Sequence, residues 1–269
     1  MILRFECAVN LGEIKDQAKL IYNFFNENEK VLMLVLDACN WRVLSSLKNE
    51  WDLEVVRSRG SWTLEWLQRT FLTPLKDVIY ISANPYTYLL KRFKSKFKKV
   101  INLPLLVWNF KFNTVHPRSV NFFVREQVKF GEKKIIAHYM QPHPPFIFKT
   151  WLNIFSHDFR NGKRELKIYD LARKSFDVRK EFIKAYTKNL CKALKYVESI
   201  IKIVRNFDSN FKIVITSDHS EVLRGVYYPF KFRKKFWLWL PWVLGIYRFV
   251  GHETSSRLSE LYEVPWIVF

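Results

Sequence analysis

Val31-Leu-Met-Leu-Val-Leu is an unbroken apolar run that stops at Asp37, and Ile213-Val-Ile-Thr-Ser stops in the same way at Asp218-His219. Short, β-favouring runs that are apolar on both faces predict strands buried in a parallel sheet. Elsewhere the period changes. Leu11 to Asn28 places Ile14, Ala18, Ile21, Phe24 and Phe25 at helical spacing and predicts an amphipathic helix. Trp41 to Trp51 predicts a short helix and Leu53 to Ser58 a strand. Arg59-Gly-Ser-Trp-Thr63 is a loop that opens another helix, and Val78 to Ser82 is a strand closed by Asn84-Pro85. Lys91 to Lys99 (KRFKSKFKK) reads as an exposed helix face anchored by Phe93 and Phe97, with a binding patch as the alternative. Lys134 to Met140 is a strand. Gln141-Pro-His-Pro-Pro-Phe146 is too proline-rich for helix or central strand. Arg179 to Val204 predicts a long helix and Val264 to Phe269 a final strand.

Strands alternating with helices predict an α/β fold: a three-layer α/β/α sandwich around a mainly parallel sheet, formed by residues 1–269 as a single domain. Ligands of such sheets sit outside the carboxyl ends of the strands. Asp37, Thr63, His143 and the pair Asp218-His219 all fall at predicted strand ends or in the loops beyond them, and His252 precedes the last strand. Singly, each has a plain explanation: an Asp as a turn or cap residue, Thr63 as an N-cap, a histidine as a satisfied polar group. Together they form a set of hard oxygens plus imidazole suited to zinc or manganese, and thus to metal-assisted ester cleavage.

Composition narrows the partner. Lys and Arg number 45 against 25 Asp and Glu, a net charge of +20. This favours an anionic partner: a phosphate or sulfate ester, nucleic acid or an anionic membrane surface. Cys7, Cys39 and Cys191 form no CxxC pair, which argues against a disulfide framework and for a reducing compartment. The first residues, which include Arg4, Glu6 and Glu13, lack a signal-peptide core, and no apolar stretch reaches the length of about 18 that marks a membrane span. The expected location is cytoplasmic, with peripheral membrane contact as an extension.

The same residues carry a family resemblance. Leu36-Asp-Ala-Cys-Asn-Trp-Arg42, Ser61-Trp-Thr-Leu64, His138-Tyr-Met-Gln-Pro-His-Pro-Pro-Phe146, Thr216-Ser-Asp-His-Ser-Glu221 and Gly251-His252 followed by Val264-Pro265 occur in the order found in the alkaline phosphatase superfamily. The chain resembles its sulfatase-like and phosphoglycerol-transferase-like branch from about Val31 to Phe269. The resemblance implies an alkaline-phosphatase-like fold and one or two divalent ions, manganese or zinc. It implies Asp37, Thr63, Asp218 and His219 as metal ligands, with Thr63 also the nucleophile. His143 would contact the anion or protonate the leaving group, and His252 would contact substrate or complete a second metal site. Three departures stand out. Ser220 replaces the family glycine, Glu65 replaces a proline, and the middle Asp-x-x-x-His pair is absent, with His138 or His157-Asp158 as weak substitutes. No cysteine lies in Cys-x-Pro-x-Arg, so formylglycine sulfatase chemistry is disfavoured against a phosphorus ester. Ser61 is the alternative hydroxyl.

An aromatic, basic insertion at about 224–250 interrupts the pattern, and its core, Lys231 to Arg248, contains Trp237, Trp239 and Trp242. It suits either a membrane interface or a lid or dimer contact. The leading expectation is a metal-dependent phosphoester hydrolase or transferase acting on an anionic ester, lipid- or glycan-linked if the insertion meets lipid. The alternatives are a sulfate-ester hydrolase, a nuclease-like phosphodiesterase, and a catalytically degenerate or nucleic-acid- or membrane-binding protein. Nucleic acid is disfavoured because the basic residues are dispersed and no binding motif is visible.

Overall fold

The computed structural model describes residues 14–90, 92–155, 167–226, 249–252 and 258–269. In chain order the elements are α1 (Gln17–Glu27), β1 (Val31–Asp37), α2 (Trp41–Leu47), β2 (Glu54–Arg57), α3 (Thr63–Thr70), β3 (Leu75–Ser82), α4 (Tyr86–Leu89), β4 (Phe97–Asn102), α5 (Leu103–Leu106), α6 (Pro117–Lys129), β5 (Lys134–Pro142), α7 (Lys167–Lys174), α8 (Phe176–Phe207), β6 (Lys212–Ser217), β7 (Val222–Val226), β8 (Phe249–Gly251) and β9 (Glu263–Val268).

Successive side chains of a strand point to opposite faces, so an all-apolar strand needs two cores. β1 has both. Leu32, Leu34 and Leu36 share one core with Val120 and Val124 of α6 and Leu190, Leu194 and Val197 of α8. Val31, Met33 and Val35 share the other with Ile21 and Phe25 of α1 and Trp66 and Leu67 of α3. The sheet therefore carries helices on both faces. Its strand order is β2-β9-β6-β1-β5-β3-β4. β1 pairs in parallel with both β5 and β6, β3 pairs in parallel with β4 and β5, and β9 runs antiparallel to β2 and β6. The carboxyl ends of β1, β3, β5 and β6 thus share one edge. A separate two-stranded ladder joins β7 to β8. No helix among the described residues is long and apolar enough to cross a membrane.

The mainly parallel α/β expectation holds, and several boundaries move. The first helix begins at Gln17, where the Asp16 carboxylate accepts from the Ala18 and Lys19 N–H groups at 2.8 and 3.2 Å and caps it. The helix after β1 ends at Leu47, and α8 is longer than expected at both ends. The basic run 91–99 is not a helix. A single 3-10 turn at Lys94–Lys96 leads into β4, an edge strand of the sheet. Phe93 and Phe97 are buried anchors, whereas Lys98 and Lys99 are exposed on that edge, where lysines discourage pairing with another chain. The exclusion of Gln141-Pro142 from a central strand is also corrected. β5 runs through Pro142, because the β1–β5 register shifts between Leu36 and Asp37 and the imino residue sits at the strand's end. α6, α7, β4 and the β7–β8 ladder went unpredicted. Most of the 224–250 insertion and His157-Asp158 lie outside the described residues.

Gly60 decides how α3 approaches the sheet. A Cβ built there would stand 2.4 Å from the Trp66 backbone nitrogen and 2.6 Å from its Cα, atoms of a helix that cannot step aside alone. Gly60→Ala is expected to destabilise the fold by about 1–3 kcal/mol, the usual cost of overpacking, in urea denaturation followed by circular dichroism.

Candidate metal centre

Leu36 of β1 pairs with Ser217 of β6, so the next residue of each strand, Asp37 and Asp218, leaves the sheet beside the other. The Ser217 hydroxyl locks this edge by donating to the Leu36 carbonyl at 2.6 Å and accepting from the Cys39 N–H at 2.8 Å. The chain then turns at Ala38, whose φ of 58° is left-handed. That conformation costs a residue with a Cβ about 1–2 kcal/mol. It is held by the Ala38 N–H donating to Asp218 Oδ1 at 3.0 Å and by the Tyr186 hydroxyl donating to the Ala38 carbonyl at 2.7 Å.

Each of the three strand-end groups is satisfied on one side only. Asp37 Oδ2 accepts from Asn84 Nδ2 at 2.6 Å. Asp218 Oδ1 accepts from the Ala38 and His219 N–H groups, and His219 Nδ1 lies 2.9 Å from the Ser220 carbonyl oxygen. The opposite atoms, Asp37 Oδ1, Asp218 Oδ2 and His219 Nε2, are buried and make no hydrogen bond; they face one another, with Nε2 3.5 Å from Asp37 Oδ1 and 3.6 Å from Asp218 Oδ2. All three lie within 4.8 Å of one another. Unpaired buried polar atoms cost about 1–3 kcal/mol each, more when charged, and a divalent cation removes that cost for all three at once. Two carboxylate oxygens and an imidazole nitrogen fit zinc or manganese.

Electrostatics tie the three together. Burial alone would lower the His219 pKa, but the charges of Asp218 and Asp37 raise it to about 9. Asp37 is pushed upward by burial and by the charge of Asp218. For Asp218 burial works upward, but His219, His138, the Ala38 N–H and Thr63 outweigh it and hold the pKa low.

Thr63 is the first residue of α3 and is buried. Asn84, just past β3, ties it to the acidic pair: its Nδ2 donates to Asp37 Oδ2 and, at 3.2 Å, to Thr63 Oγ1. Sequence reasoning missed Asn84 because an Asn-Pro after a strand reads as a turn; its Oδ1 does accept from the Tyr86 N–H in that role. Ser61 is engaged differently. Its N–H and hydroxyl both donate to Glu65 Oε2, at 2.7 and 2.9 Å, while Glu65 Oε1 pairs with Arg69 at 2.6 Å. Glu65 is therefore taken up by Ser61 and Arg69. Ser220 donates its N–H to the Leu261 carbonyl and has no left-handed φ, so the backbone here does not require the glycine that the resemblance expects, while the serine Oγ is buried without a hydrogen bond.

His143 and His252 complete the surround. The His143 N–H donates to the Asp37 carbonyl at 3.2 Å, and its Nδ1 bonds the Pro144 carbonyl. Burial lowers its pKa, against the pull of Asp37. The His252 ring centre lies 4.5 Å from that of His219 and 5.1 Å from that of His143. Its Nδ1 stands 3.3 Å from both oxygens of Glu221, a fully buried carboxylate whose pKa burial raises to about 7. His138 stands behind the cluster: Nε2 is 3.7 Å from Asp218 Oδ2, and Nδ1 is 2.9 Å from the Tyr80 hydroxyl. All six sequence-selected positions thus gather at one sheet edge, and Asn84, Glu221 and Ala38 are the neighbours that sequence alone gave no role.

A cation entering this site has to displace the proton that Asp218 and Asp37 hold on His219. Zinc or manganese affinity is therefore expected to rise about tenfold per pH unit up to about 9 and to level off above it. Isothermal titration in buffers of different ionisation enthalpy should detect about one proton released per ion below that pH. Asp218→Asn should abolish the uptake.

No family model matches the chain, and no curated protein matches it in sequence. Solved structures do match. The soluble domain of lipooligosaccharide phosphoethanolamine transferase A from Neisseria meningitidis superposes with a TM-score of 0.54 at 14% identity, over 89% of this chain and 75% of that one. The C-terminal periplasmic domain of EptC from Escherichia coli, in its zinc complex, gives 0.55 at 16% identity over 90% and 73%. A sulfatase-like protein from Bacteroides thetaiotaomicron gives 0.51 at 13% identity over 90% and 64%. The chain shares its overall fold with these phosphoethanolamine transferase domains and with the sulfatase-like protein.

Proposed function

We propose that the chain is a metal-dependent enzyme that hydrolyses or transfers phosphate esters through a covalent ester on Thr63. The observation that carries this reading is the convergence of Asp37 Oδ1, Asp218 Oδ2 and His219 Nε2, all buried and without a hydrogen bond, beside a threonine linked to Asp37 through Asn84. Two of the structural neighbours are phosphoethanolamine transferases or their domains, which supports phosphoryl chemistry over a purely binding role. The net charge of +20 suits an anionic substrate.

A divalent cation at this site would favour the ionised form of the Thr63 hydroxyl and offset charge on the ester oxygens. Asn84 Nδ2 fixes Thr63 Oγ1 relative to Asp37. Thr63 Oγ1 forms a bond to phosphorus while the bond from phosphorus to the leaving oxygen breaks. The hydroxyl proton goes to solvent. The leaving alkoxide takes a proton from solvent, relayed through Nε2 of His143 or His252, whose Nδ1 atoms are engaged by the Pro144 carbonyl and Glu221. Water gives hydrolysis, or an acceptor alcohol gives transfer, by attacking phosphorus and releasing Thr63. The Trp-rich segment 231–248 is proposed, from its sequence, to contact a membrane surface and bring a lipid- or glycan-linked ester to this edge.

Thr63→Ala is expected to lower turnover of an aryl phosphate mono- or diester at least about a thousandfold, the scale on which nucleophile deletions act. Its circular dichroism should be unchanged, and Thr63→Ser should keep measurable activity. Full turnover by the alanine variant would remove Thr63 as the nucleophile.

A further inference from the structure

Among the described residues, Glu221 is the one fully buried carboxylate beside the centre that lies outside the Asp37–Asp218–His219 cluster. Contacts from three described residues hold it. Asn40 Nδ2 donates to its backbone carbonyl at 2.9 Å. The Tyr169 hydroxyl donates to Oε2 at 2.8 Å. His252 Nδ1 faces both oxygens at 3.3 Å. Tyr169 reaches this position because of its neighbour. Gly251 has φ +97°, and a Cβ there would stand 2.6 Å from the Tyr169 ring, so only glycine lets the ring pack against β8. Arg173, one turn along α7, fastens the same contact by donating Nε to the Val250 carbonyl at 2.9 Å.

We propose that Glu221 is a positioning residue: its carboxylate holds His252 by Nδ1 and so fixes the ring's tautomer and turn, leaving Nε2 as the nitrogen presented to the ester. This rests on the phosphate-ester reading above. The physical logic is that of a histidine oriented by a buried carboxylate, where the partner of one ring nitrogen decides the state of the other. Tyr169 supplies a second donor to the same carboxylate and keeps it from rotating away from His252. Gly251 places the histidine backbone where this is possible.

The test uses the full chain loaded with zinc or manganese, in mildly alkaline buffer. Glu221→Gln is expected to lower kcat for an aryl phosphate ester about 10–100-fold, the range for loss of an orienting partner, with KM and bound metal per chain unchanged. Adding His252→Ala to that variant should cost little more, because both changes disable one unit. Tyr169→Phe should give a smaller fall in kcat of the same kind. In ¹⁵N NMR the neutral His252 ring should carry its proton on Nδ1 in the wild type and lose that preference in Glu221→Gln. Loss of bound metal with unchanged kcat per loaded chain, or fully additive effects of the two changes, would overturn the proposal. A wild-type His252 protonated on Nε2 would overturn it as well, and that measurement needs neither a folded variant nor turnover. It therefore separates failure of this inference from failure of the phosphate-ester reading, which would show as absent turnover with the Nδ1 tautomer intact.

Discussion

Two carboxylates and an imidazole are buried face to face at one sheet edge, each with an atom that makes no hydrogen bond, and the rest of the arrangement follows from that constraint. Like charges that close together repel, and desolvation adds to the cost. The protein meets this by bonding each group on its outer side. Asn84 holds Asp37, Ala38 and the His219 N–H hold Asp218, and the Ser220 carbonyl holds His219. The inner sides are left to point at a common space. The strained turn at Ala38 belongs to the same solution, since it is the left-handed residue that aims its N–H at Asp218.

Three of the four histidines at this edge show how environment separates identical side chains. His219, between two carboxylates, is raised to about 9. His138 feels Asp218 as well, but burial dominates and lowers it to about 4, so it stays neutral behind Asp218. His143 is also lowered by burial, and its backbone rather than its ring is what bonds to Asp37. Only one of the three would carry positive charge near neutrality, and it is the one facing the acidic pair.

The parts legible in the sequence were those where one period dominates. β1 and β6 are apolar on both faces, and both the strands and their terminal acids could be read directly. β4 was not legible because its exposed lysines sit on an edge strand and mimic a charged helix face. α6 did carry a start signal, with His116 as cap and Pro117 in the first turn, but a run of polar residues masked its apolar stripe. The six candidate positions could be singled out because each follows a strand or precedes one. Asn84 and Glu221 were not assigned roles because their work is done across the fold, to residues 47 and 31 positions away in sequence.

The place of β1 in the sheet has a consequence for how the chain is made. During synthesis it emerges early, yet its two neighbours are β5, from Lys134–Pro142, and β6, from Lys212–Ser217. Until those segments leave the ribosome, Val-Leu-Met-Leu-Val-Leu waits with both edges open, and it is the kind of flat apolar strand that sticks to other chains. The same delay means that Asp37 exists long before Asp218 and His219 do, so a nascent chain holds only part of the buried cluster. The three side chains come together only once β6 lies beside β1.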